Sequence, residues 1–254
     1  MANIYISIVS HGHDYLIKDN LYLHEISKLS NVNVVVKDNI RSDFLKKICE
    51  ERNYTYLVSM DVMGFGENNN FNFDHCIAYG MGNNDWFLCL NPDVLLDVDN
   101  FLILSNLLNV TDEIDIFTVN LFQDNNYQIA EKSLRYFPKW SSLFRMLIGL
   151  SVTDAYDKDA LDNNSIVDWA SGAFLIFPAG LYKQLGGFDK SYFMYYEDVD
   201  ICYRARKKYG YSVRFFKQVK AVHAGAYQNR KILSVHFRWY LKSLLLFLFR
   251  RRKL

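Results

Sequence analysis

Short apolar runs alternate with longer amphipathic stretches along the first half of the chain. The runs predict strands at residues 4–9, 32–36, 54–60 and 86–90. The intervening stretches predict helices at roughly 16–29, 41–52 and 69–81. Strands that alternate with helices in this way form parallel α/β sheets. We therefore expect a Rossmann-like, mixed and mainly parallel sheet flanked by helices.

The second half of the chain has a less regular pattern. Residues 114–122 and 173–177 predict two more strands, and a short helix is expected around 180–185. Another helix is expected to begin near Glu197 and Asp198. This contrast predicts one domain built from two unlike halves.

Polar side chains follow the first four predicted strands. They are His11, Asp38, Asp61 and Asp93. Ligands of open parallel sheets bind beyond the carboxyl ends of the strands. The sequence therefore predicts a ligand site at that edge of the sheet.

Asp93 closes the tripeptide Asn91-Pro92-Asp93, directly after the fourth predicted strand. A carboxylate there can hold Mg²⁺ or Mn²⁺ beside a diphosphate, because these ions prefer oxygen ligands. The same tripeptide is also common in turns, so the motif alone leaves both interpretations open.

The segment Gly64-Phe65-Gly66-Glu67-Asn68-Asn69-Asn70 lies between a predicted strand and a predicted helix. Glycines allow close approach of the backbone to a ligand, and helix N-termini attract anions. The segment matches neither the P-loop nor the dinucleotide-binding fingerprint. A structural loop fits it equally well.

Three carboxylates crowd together at Glu197, Asp198 and Asp200. Like charges at close range raise at least one pKa and can produce a base that works near neutral pH. Acidic residues also favour the first turn of a helix without any catalytic role. His223 follows an apolar run and could bind a metal or a phosphate, although a lone histidine more often has a structural role.

Charge is distributed unevenly along the chain. Residues 1–200 hold 14 of the 29 Lys and Arg residues and all 28 Asp and Glu residues, whereas residues 201–254 hold 15 basic residues and no acidic one. Residues 232–254 predict an amphipathic helix whose apolar run is far shorter than the roughly 20 residues that span a bilayer. Such a helix suits an anionic membrane surface, although a core helix with a solvated basic tail fits the same pattern.

The four cysteines are widely spaced and form no CxxC pair, which predicts buried free thiols. The first residues lack the basic start and long apolar core of a signal peptide. We therefore expect a cytoplasmic protein.

Taken together, eight short motifs resemble those of inverting, GT-A-fold family 2 glycosyltransferases, and specifically bacterial O-antigen rhamnosyltransferases. They occur in the expected order over nearly the whole chain: IVSHGH (8–13), KDN (37–39), GFGENNN (64–70), LNPDV (90–94), VDWASGAF (167–174), GGFDKSYFMYYEDVDICYR (186–204), VHAGAYQNR (222–230) and FRWYLKS (237–243).

The resemblance implies a GT-A catalytic domain over residues 1–230, with a nucleotide-sugar donor half (1–110) and an acceptor half (111–230). A basic amphipathic, membrane-associating helix would follow at 231–254. The implied donor-binding residues are Ser10, His11, Asp38, Gly66, Asn70, Asn91, Asp93, Trp169, Gly172 and Arg230. Arg204 is a further candidate contact for phosphate.

The resemblance also implies the roles of the acidic residues. Asp93 would hold a divalent cation, Mg²⁺ or Mn²⁺, together with His223, because Asn91 replaces the first acid of the family's DxD motif. Asp198, beside Glu197, matches the general base. It would take a proton from the acceptor hydroxyl while the oxygen attacks and inverts the anomeric carbon.

For this subfamily the implied donor is dTDP-L-rhamnose and the implied acceptor is N-acetylglucosamine on undecaprenyl diphosphate. The C-terminal helix and residues 140–150 would then contact the inner face of the inner membrane. One alternative is another donor, such as a UDP-hexose, or another polysaccharide acceptor. Two others are a non-catalytic nucleic-acid-binding protein, although no nucleic-acid-binding motif is present, and an inactive scaffold, which the retained carboxylates disfavour.

Overall fold

One large mixed sheet organises the protein. The structure is a computed structural model that describes residues 2–223 and 235–251. The strands are β1 (Ile4–Ser10), β2 (Val32–Asp38), β3 (Thr55–Val58), β4 (Trp86–Leu90), β5 (Val94–Leu95), β6 (Ile116–Phe122), β7 (Leu134–Arg135), β8 (Ser165–Val167), β9 (Trp169–Ala170), β10 (Phe174–Pro178) and β11 (Val213–His223). The helices are α1 (Asp14–Asp19), α2 (Leu21–Ser27), α3 (Asp43–Glu51), α4 (Phe65–Ala78), α5 (Val98–Val110), α6 (Ser141–Leu147), α7 (Ala179–Leu185), α8 (Glu197–Arg204) and α9 (Val235–Arg250), with a π-helical turn (Ala205–Tyr209) directly after α8.

The main sheet has the strand order β3-β2-β1-β4-β10-β6-β11-β5, and β8 pairs with β11. Strands β1 to β4 run parallel, whereas β10 is antiparallel to both β4 and β6. Strands β7 and β9 form a separate ribbon. The predicted mixed, mainly parallel α/β sheet is therefore confirmed, and β10 is the antiparallel strand at its centre.

Alternate residues of the central strands supply two cores, one on each face of the sheet. Val34 and Val36 of β2 pack with α1, α2, α3 and α5, whereas Val35 packs with α4, α7 and α8. Side chains of successive strand residues point to opposite faces, and helices cover both faces of this sheet. Because both faces of the sheet are buried, its strands appear in the sequence as continuous apolar runs.

The predicted elements are largely confirmed, with two corrections. The helix expected at 16–29 is two helices, α1 and α2, because Asn20 interrupts it. The Asn20 side chain accepts a hydrogen bond from Leu23 N (3.0 Å) and donates one to Val94 O (3.1 Å). Helix α4 begins at Phe65, so most of the glycine–asparagine segment forms the first turns of a helix instead of a loop. All four cysteines are buried free thiols, as expected.

Helix α9 packs on the domain. Leu244, Phe247 and Leu248 are at most 1% exposed, and they lie in a third core with Tyr196 and Tyr203. Much of the apolar side that was expected to contact a membrane therefore contacts protein. Within the described ranges, no helix combines the length and apolar character needed to cross a bilayer.

Candidate active site

The carboxyl end of β4 meets the beginning of β10. Leu90 pairs with Phe174, and Asn91 N donates a hydrogen bond to Ala173 O (3.0 Å). The next residue back, Gly172, donates its N–H to Asp198 Oδ2 (3.0 Å). Because β10 is antiparallel to β4, its start lies at the same sheet edge as the end of β4. Asp198 is thereby held at the edge where Asn91 and Asp93 leave the sheet.

A second contact joins Asp93 to His223. Strand β5 pairs with the end of β11, which sets His223 opposite Val94. His223 Nε2 lies 3.4 Å from Asp93 Oδ1, and His223 Nδ1 lies 3.0 Å from both carboxylate oxygens of Glu131. Burial alone would lower the pKa of His223, but the hydrogen bonds and charges of Asp93 and Glu131 raise it to about 10. Burial would raise the pKa of Asp93, but the bond and charge of His223 lower it.

The chemistry of this cluster fits a divalent cation. Asp93 Oδ1 offers an oxygen ligand, and His223 Nε2 offers a nitrogen ligand once a cation displaces the proton that the ring holds at neutral pH. Mn²⁺ accepts both types of ligand. A carboxylate on the far nitrogen is the usual means of orienting a metal-binding histidine, and Glu131 has that position. In the described part of the chain, no three His, Cys, Asp or Glu residues are arranged to hold a metal. A cation here would therefore need other ligands, such as diphosphate oxygens and water.

His13 also lies near Asp93, a relationship that the sequence analysis missed. Burial lowers the pKa of His13, while the charge of Asp93 acts in the opposite direction. The ring atom Nδ1 of His13 accepts a hydrogen bond from His11 N (3.1 Å), and the backbone N–H of His13 donates one to Ser10 Oγ (3.1 Å). Of the two predicted residues, Ser10 is buried and shapes this turn, and His11 is exposed. The sequence analysis singled out His11 of this motif, whereas the second histidine, His13, interacts with Asp93.

Asp38 shapes the loop that follows β2. Its side chain is fully buried and accepts hydrogen bonds from Ile40 N (2.9 Å), Ser42 N (2.7 Å) and Tyr56 Oη (2.9 Å). Both carboxylate oxygens therefore bind groups of the protein. The predicted contact with the nucleoside stays a prediction.

Gly66 and Asn70 lie in a packing contact, and their predicted place in the donor pocket stays a prediction. A Cβ on Gly66 would come 2.6 Å from Phe188 Cβ. Asn70 Oδ1 accepts hydrogen bonds from Tyr182 Oη (2.7 Å) and Phe188 N (2.9 Å), and Asn70 Nδ2 donates to Phe188 O (2.8 Å). The hydrogen bonds of Asn70 fix α4 against the chain that leads into α8. Gly66 permits the close approach of the two segments, because any larger residue would clash with Phe188.

Helix α8 begins after two strained residues. Tyr195 and Tyr196 have φ angles of 69° and 70°, in the left-handed region that non-glycine residues rarely adopt. Tyr196 is buried, and its hydroxyl donates to Tyr240 Oη of α9 (3.2 Å). Contacts with α9 thus hold the backbone that presents Glu197 and Asp198.

The two carboxyl groups at the start of α8 have different environments. Glu197 is 6% exposed, and its buried Oε2 atom has no hydrogen-bond partner among the described residues. Burial, strengthened by the charge of Asp198, raises the pKa of Glu197 well above its ordinary value. Burial also raises the pKa of Asp198, but the N–H groups of Gly172 and Val199 oppose that effect. Burial thus favours the protonated form of Glu197, whereas the two N–H groups favour the ionised form of Asp198.

Asp198 and Glu131 line the same cleft, which has a volume of about 410 Å³. Trp169 lines it too, and the Trp169 indole N–H donates to Tyr136 O (3.0 Å). Because Glu131 also binds His223, which contacts Asp93, the cleft is connected to both of the carboxylates expected to carry the chemistry. Trp169 lies at this cleft and Gly172 lies beside Asp198; their predicted role in binding the donor sugar stays a prediction.

Two arginines, Arg204 and Arg230, were expected to contact phosphate. Arg204 is committed to the protein interior: it donates to Asp200 Oδ2 (2.6 Å), Leu185 O (2.6 Å) and Gly187 O (2.7 Å). Each nitrogen of its guanidinium group thus donates to an acceptor of the protein, and the suggested contact with phosphate stays a prediction. Arg230 lies outside the described residues.

Residues 27–241 match the protein family described as "Glycosyltransferase like family 2". The chain belongs to this glycosyltransferase family. The glycosyltransferase is 32% identical over 254 residues to rhamnosyltransferase WbbL from Escherichia coli strain K12, with 98% of this chain and 94% of the relative covered. It is also 34% identical over 97 residues, 38% of this chain and 31% of the relative, to the N-acetylglucosaminyl-diphospho-decaprenol L-rhamnosyltransferase of Mycobacterium tuberculosis.

Among solved structures, the glycosyltransferase resembles the mannosyltransferase PcManGT from Pyrobaculum calidifontis, solved in complex with GDP-Man and Mn²⁺. The TM-score is 0.63 at 13% identity, with 98% of this chain and 64% of that chain covered. This likeness confirms the GT-A fold.

Proposed function

We propose that this glycosyltransferase transfers L-rhamnose from dTDP-L-rhamnose to N-acetylglucosamine on undecaprenyl diphosphate, in O-antigen and lipopolysaccharide biosynthesis. The cleft is the observation that carries the proposal, because Asp198 and Glu131 both line it, and Glu131 contacts His223, which in turn contacts Asp93. Similarity to two rhamnosyltransferases supports the sugar. The name of the mycobacterial relative describes a diphospholipid acceptor carrying N-acetylglucosamine, which supports the class of acceptor.

Asp198 acts as the general base in this proposal. It takes the proton of the acceptor hydroxyl while that oxygen bonds to the anomeric carbon and the bond from that carbon to the diphosphate breaks. A single displacement inverts the carbon. The raised pKa of Asp198 suits a base near neutral pH, and a protonated Glu197 avoids a second buried charge beside it.

In this proposal, Asp93 and a deprotonated His223 would hold a divalent cation, Mg²⁺ or Mn²⁺. The cation would stabilise the negative charge of the departing nucleoside diphosphate. Mn²⁺ accompanies GDP-Man in the mannosyltransferase structure. Glu131 orients the histidine ring, and Trp169 offers an apolar indole face to a sugar in the cleft.

Turnover with a panel of donors tests the proposal. The purified enzyme is given a synthetic diphospholipid bearing N-acetylglucosamine together with dTDP-L-rhamnose, UDP-glucose, UDP-galactose or GDP-mannose, with and without EDTA. We expect a disaccharide product from dTDP-L-rhamnose, and loss of that product with EDTA. Efficient transfer from a UDP-hexose alone would favour the alternative donor, and full activity in EDTA would remove the cation from the proposal.

The proposed place of work is the cytoplasmic side of the inner membrane, as a peripheral protein. A lipid-linked acceptor requires the cleft to reach a bilayer surface. Support comes from α6 and the residues after it, where Phe144, Leu147, Ile148 and Leu150 are 54–80% exposed.

A further inference from the structure

A second cavity, separate from the catalytic carboxylates, lies beside α6. Its volume is about 590 Å³, and it is lined by residues of the 136–154 segment, the end of α8 with its π-helical turn, and the residue that follows α9. The charged side chains that line it are Lys139, Arg145, Arg206, Lys207, Arg251, Asp154 and Asp168. Cations therefore outnumber carboxylates in its lining.

Each carboxylate of this cavity already has an arginine partner. Arg145 pairs with Asp154 and Arg206 with Asp168, both at 2.5 Å. Arg251 donates to Pro138 O and lies with its guanidinium carbon 5.3 Å from the Tyr203 ring centroid. The charges of Lys139 and Lys207, both exposed, add to that of Arg251. The cavity consequently has a net positive charge that suits a phosphate group.

Two elements border the cavity through Arg145 and Arg251, namely α6 and the end of α9, and their solvent-exposed apolar side chains form an apolar rim beside it. Phe144 is 66% exposed, Leu147 80% and Phe249 59%. Trp140 contacts Phe249 with a ring-centroid distance of 5.1 Å, so α6 and the end of α9 form one surface. An apolar surface flanked by Lys and Arg is typical of protein segments that lie in a lipid headgroup region.

We propose that this cavity binds the phosphate headgroup of an anionic phospholipid while the exposed face of α6 enters the acyl boundary. The inference deepens the proposed function and rests on it, because a lipid-linked acceptor places the reaction at a bilayer. Met146 and Leu150 also line the catalytic cleft. Docking through α6 would therefore hold the cleft at the surface that carries the acceptor.

Co-sedimentation of the full-length enzyme with vesicles tests this site. The vesicles contain either phosphatidylglycerol mixed with phosphatidylcholine or phosphatidylcholine alone. We expect preference for the anionic vesicles, and at least about tenfold weaker binding for the double variant Lys139→Ala/Lys207→Ala. The matched control is Lys46→Ala/Lys47→Ala on α3, which removes the same charge from exposed positions elsewhere. Equal losses in the two double variants would overturn the proposal.

A second arm tests the apolar rim. Leu147→Ser is expected to weaken binding to anionic vesicles several-fold, whereas Val110→Ser, at a position 77% exposed on α5, should leave it unchanged. Thermal unfolding of each variant checks that the fold is intact. Normal vesicle binding by a folded Leu147→Ser protein would contradict insertion of α6.

Inorganic phosphate distinguishes a lipid headgroup from a soluble anion. Tight binding of phosphate that depends on Lys139 and Lys207, without preference for anionic vesicles, would assign the cavity to a soluble ligand and overturn the lipid proposal. Vesicle binding is measured without any donor sugar, so failure of rhamnosyl transfer does not affect it. With a water-soluble, short-chain acceptor, Lys139→Ala/Lys207→Ala should keep the wild-type turnover.

Discussion

Both carboxylate oxygens of Glu131 lie 3.0 Å from Nδ1 of His223, and the other ring nitrogen lies 3.4 Å from Asp93. Glu131 and His223 are 5% and 8% exposed. The carboxylate therefore sets the rotation of the imidazole and directs Nε2 towards Asp93. Glu131 acts through the histidine, as a positioning residue.

Removal of Glu131 tests this relationship through metal binding. We expect Glu131→Ala to bind Mn²⁺ about 10- to 100-fold more weakly than the wild type, because the orientation of His223 is lost. Glu131→Gln should recover part of that affinity, since its amide oxygen can still accept the Nδ1 hydrogen. Electron paramagnetic resonance of free Mn²⁺ gives the affinity without turnover. Asp112→Asn, at an exposed position, is the control, and wild-type affinity in Glu131→Ala would refute the positioning role.

Asp198→Asn tests the general base. We expect kcat to fall by about 10²- to 10⁴-fold with little change in the KM for the donor, because proton removal is lost while the hydrogen bond from Gly172 can be kept. Steady-state turnover at saturating donor measures both quantities. A kcat within a few-fold of the wild type would assign the base to another residue.

Glu197→Gln should alter the dependence of stability on pH. The folded protein raises the pKa of Glu197 by burial and by the charge of Asp198. The stability contributed by this group is therefore present below its unfolded pKa and is lost as pH rises through its folded pKa. Glutamine mimics the protonated side chain. The variant should therefore gain stability relative to the wild type as the pH rises from 5 to 8, by about 1.4 kcal/mol for each unit by which the folded pKa exceeds the unfolded pKa.

Melting temperatures across that pH range provide the measurement. Glu50→Gln, on an exposed part of α3, controls for the loss of a surface charge. A constant difference in melting temperature between Glu197→Gln and the wild type would show that Glu197 keeps the same protonation state in the folded and unfolded protein.

Gly66→Ala should destabilise the protein by about 1–3 kcal/mol, because its Cβ would come 2.6 Å from Phe188 Cβ and force α4 away from the segment before α8. Urea unfolding measures the loss. Gly82→Ala is the matched control, since the nearest atom to its Cβ would be a side-chain oxygen at 3.6 Å. Full stability in Gly66→Ala would mean that the close approach is not required.

The sequence predicted the elements whose signal is local. Trp86–Leu90 was placed residue for residue, because an apolar run between turn residues defines a buried strand by itself. Asp93 and Asp198, which were selected from motifs that resemble those of the family, lie near one sheet edge, and their chemical roles stay predictions. The antiparallel direction of β10, which brings Gly172 to Asp198, depends on distant pairing and has no signal in its own residues.

Other features depend on contacts between distant segments. Asn70 and Gly66 looked like loop residues near a ligand, but their partners Tyr182 and Phe188 are far along the chain. Glu131 has no motif around it and becomes significant only beside His223. The spacing of apolar residues in α9 is compatible with contact to a membrane or to a protein core. In the structure, α9 packs against the aromatic residues around Tyr196 and Tyr203.

The left-handed backbone at Tyr195 and Tyr196 has a consequence for how the catalytic helix is maintained. A conformation that costs about 1–3 kcal/mol per residue persists only while its surroundings enforce it, and here α9 supplies Tyr240 and Phe247 against Tyr196. In a shortened protein that ends before Val235, this turn would relax. The Asp198 carboxylate would then lose its orientation, even though the Asp198 side chain itself remained. The C-terminal helix therefore stabilises the backbone that positions the proposed general base. We expect truncation of this helix to abolish catalysis while the sheet remains folded.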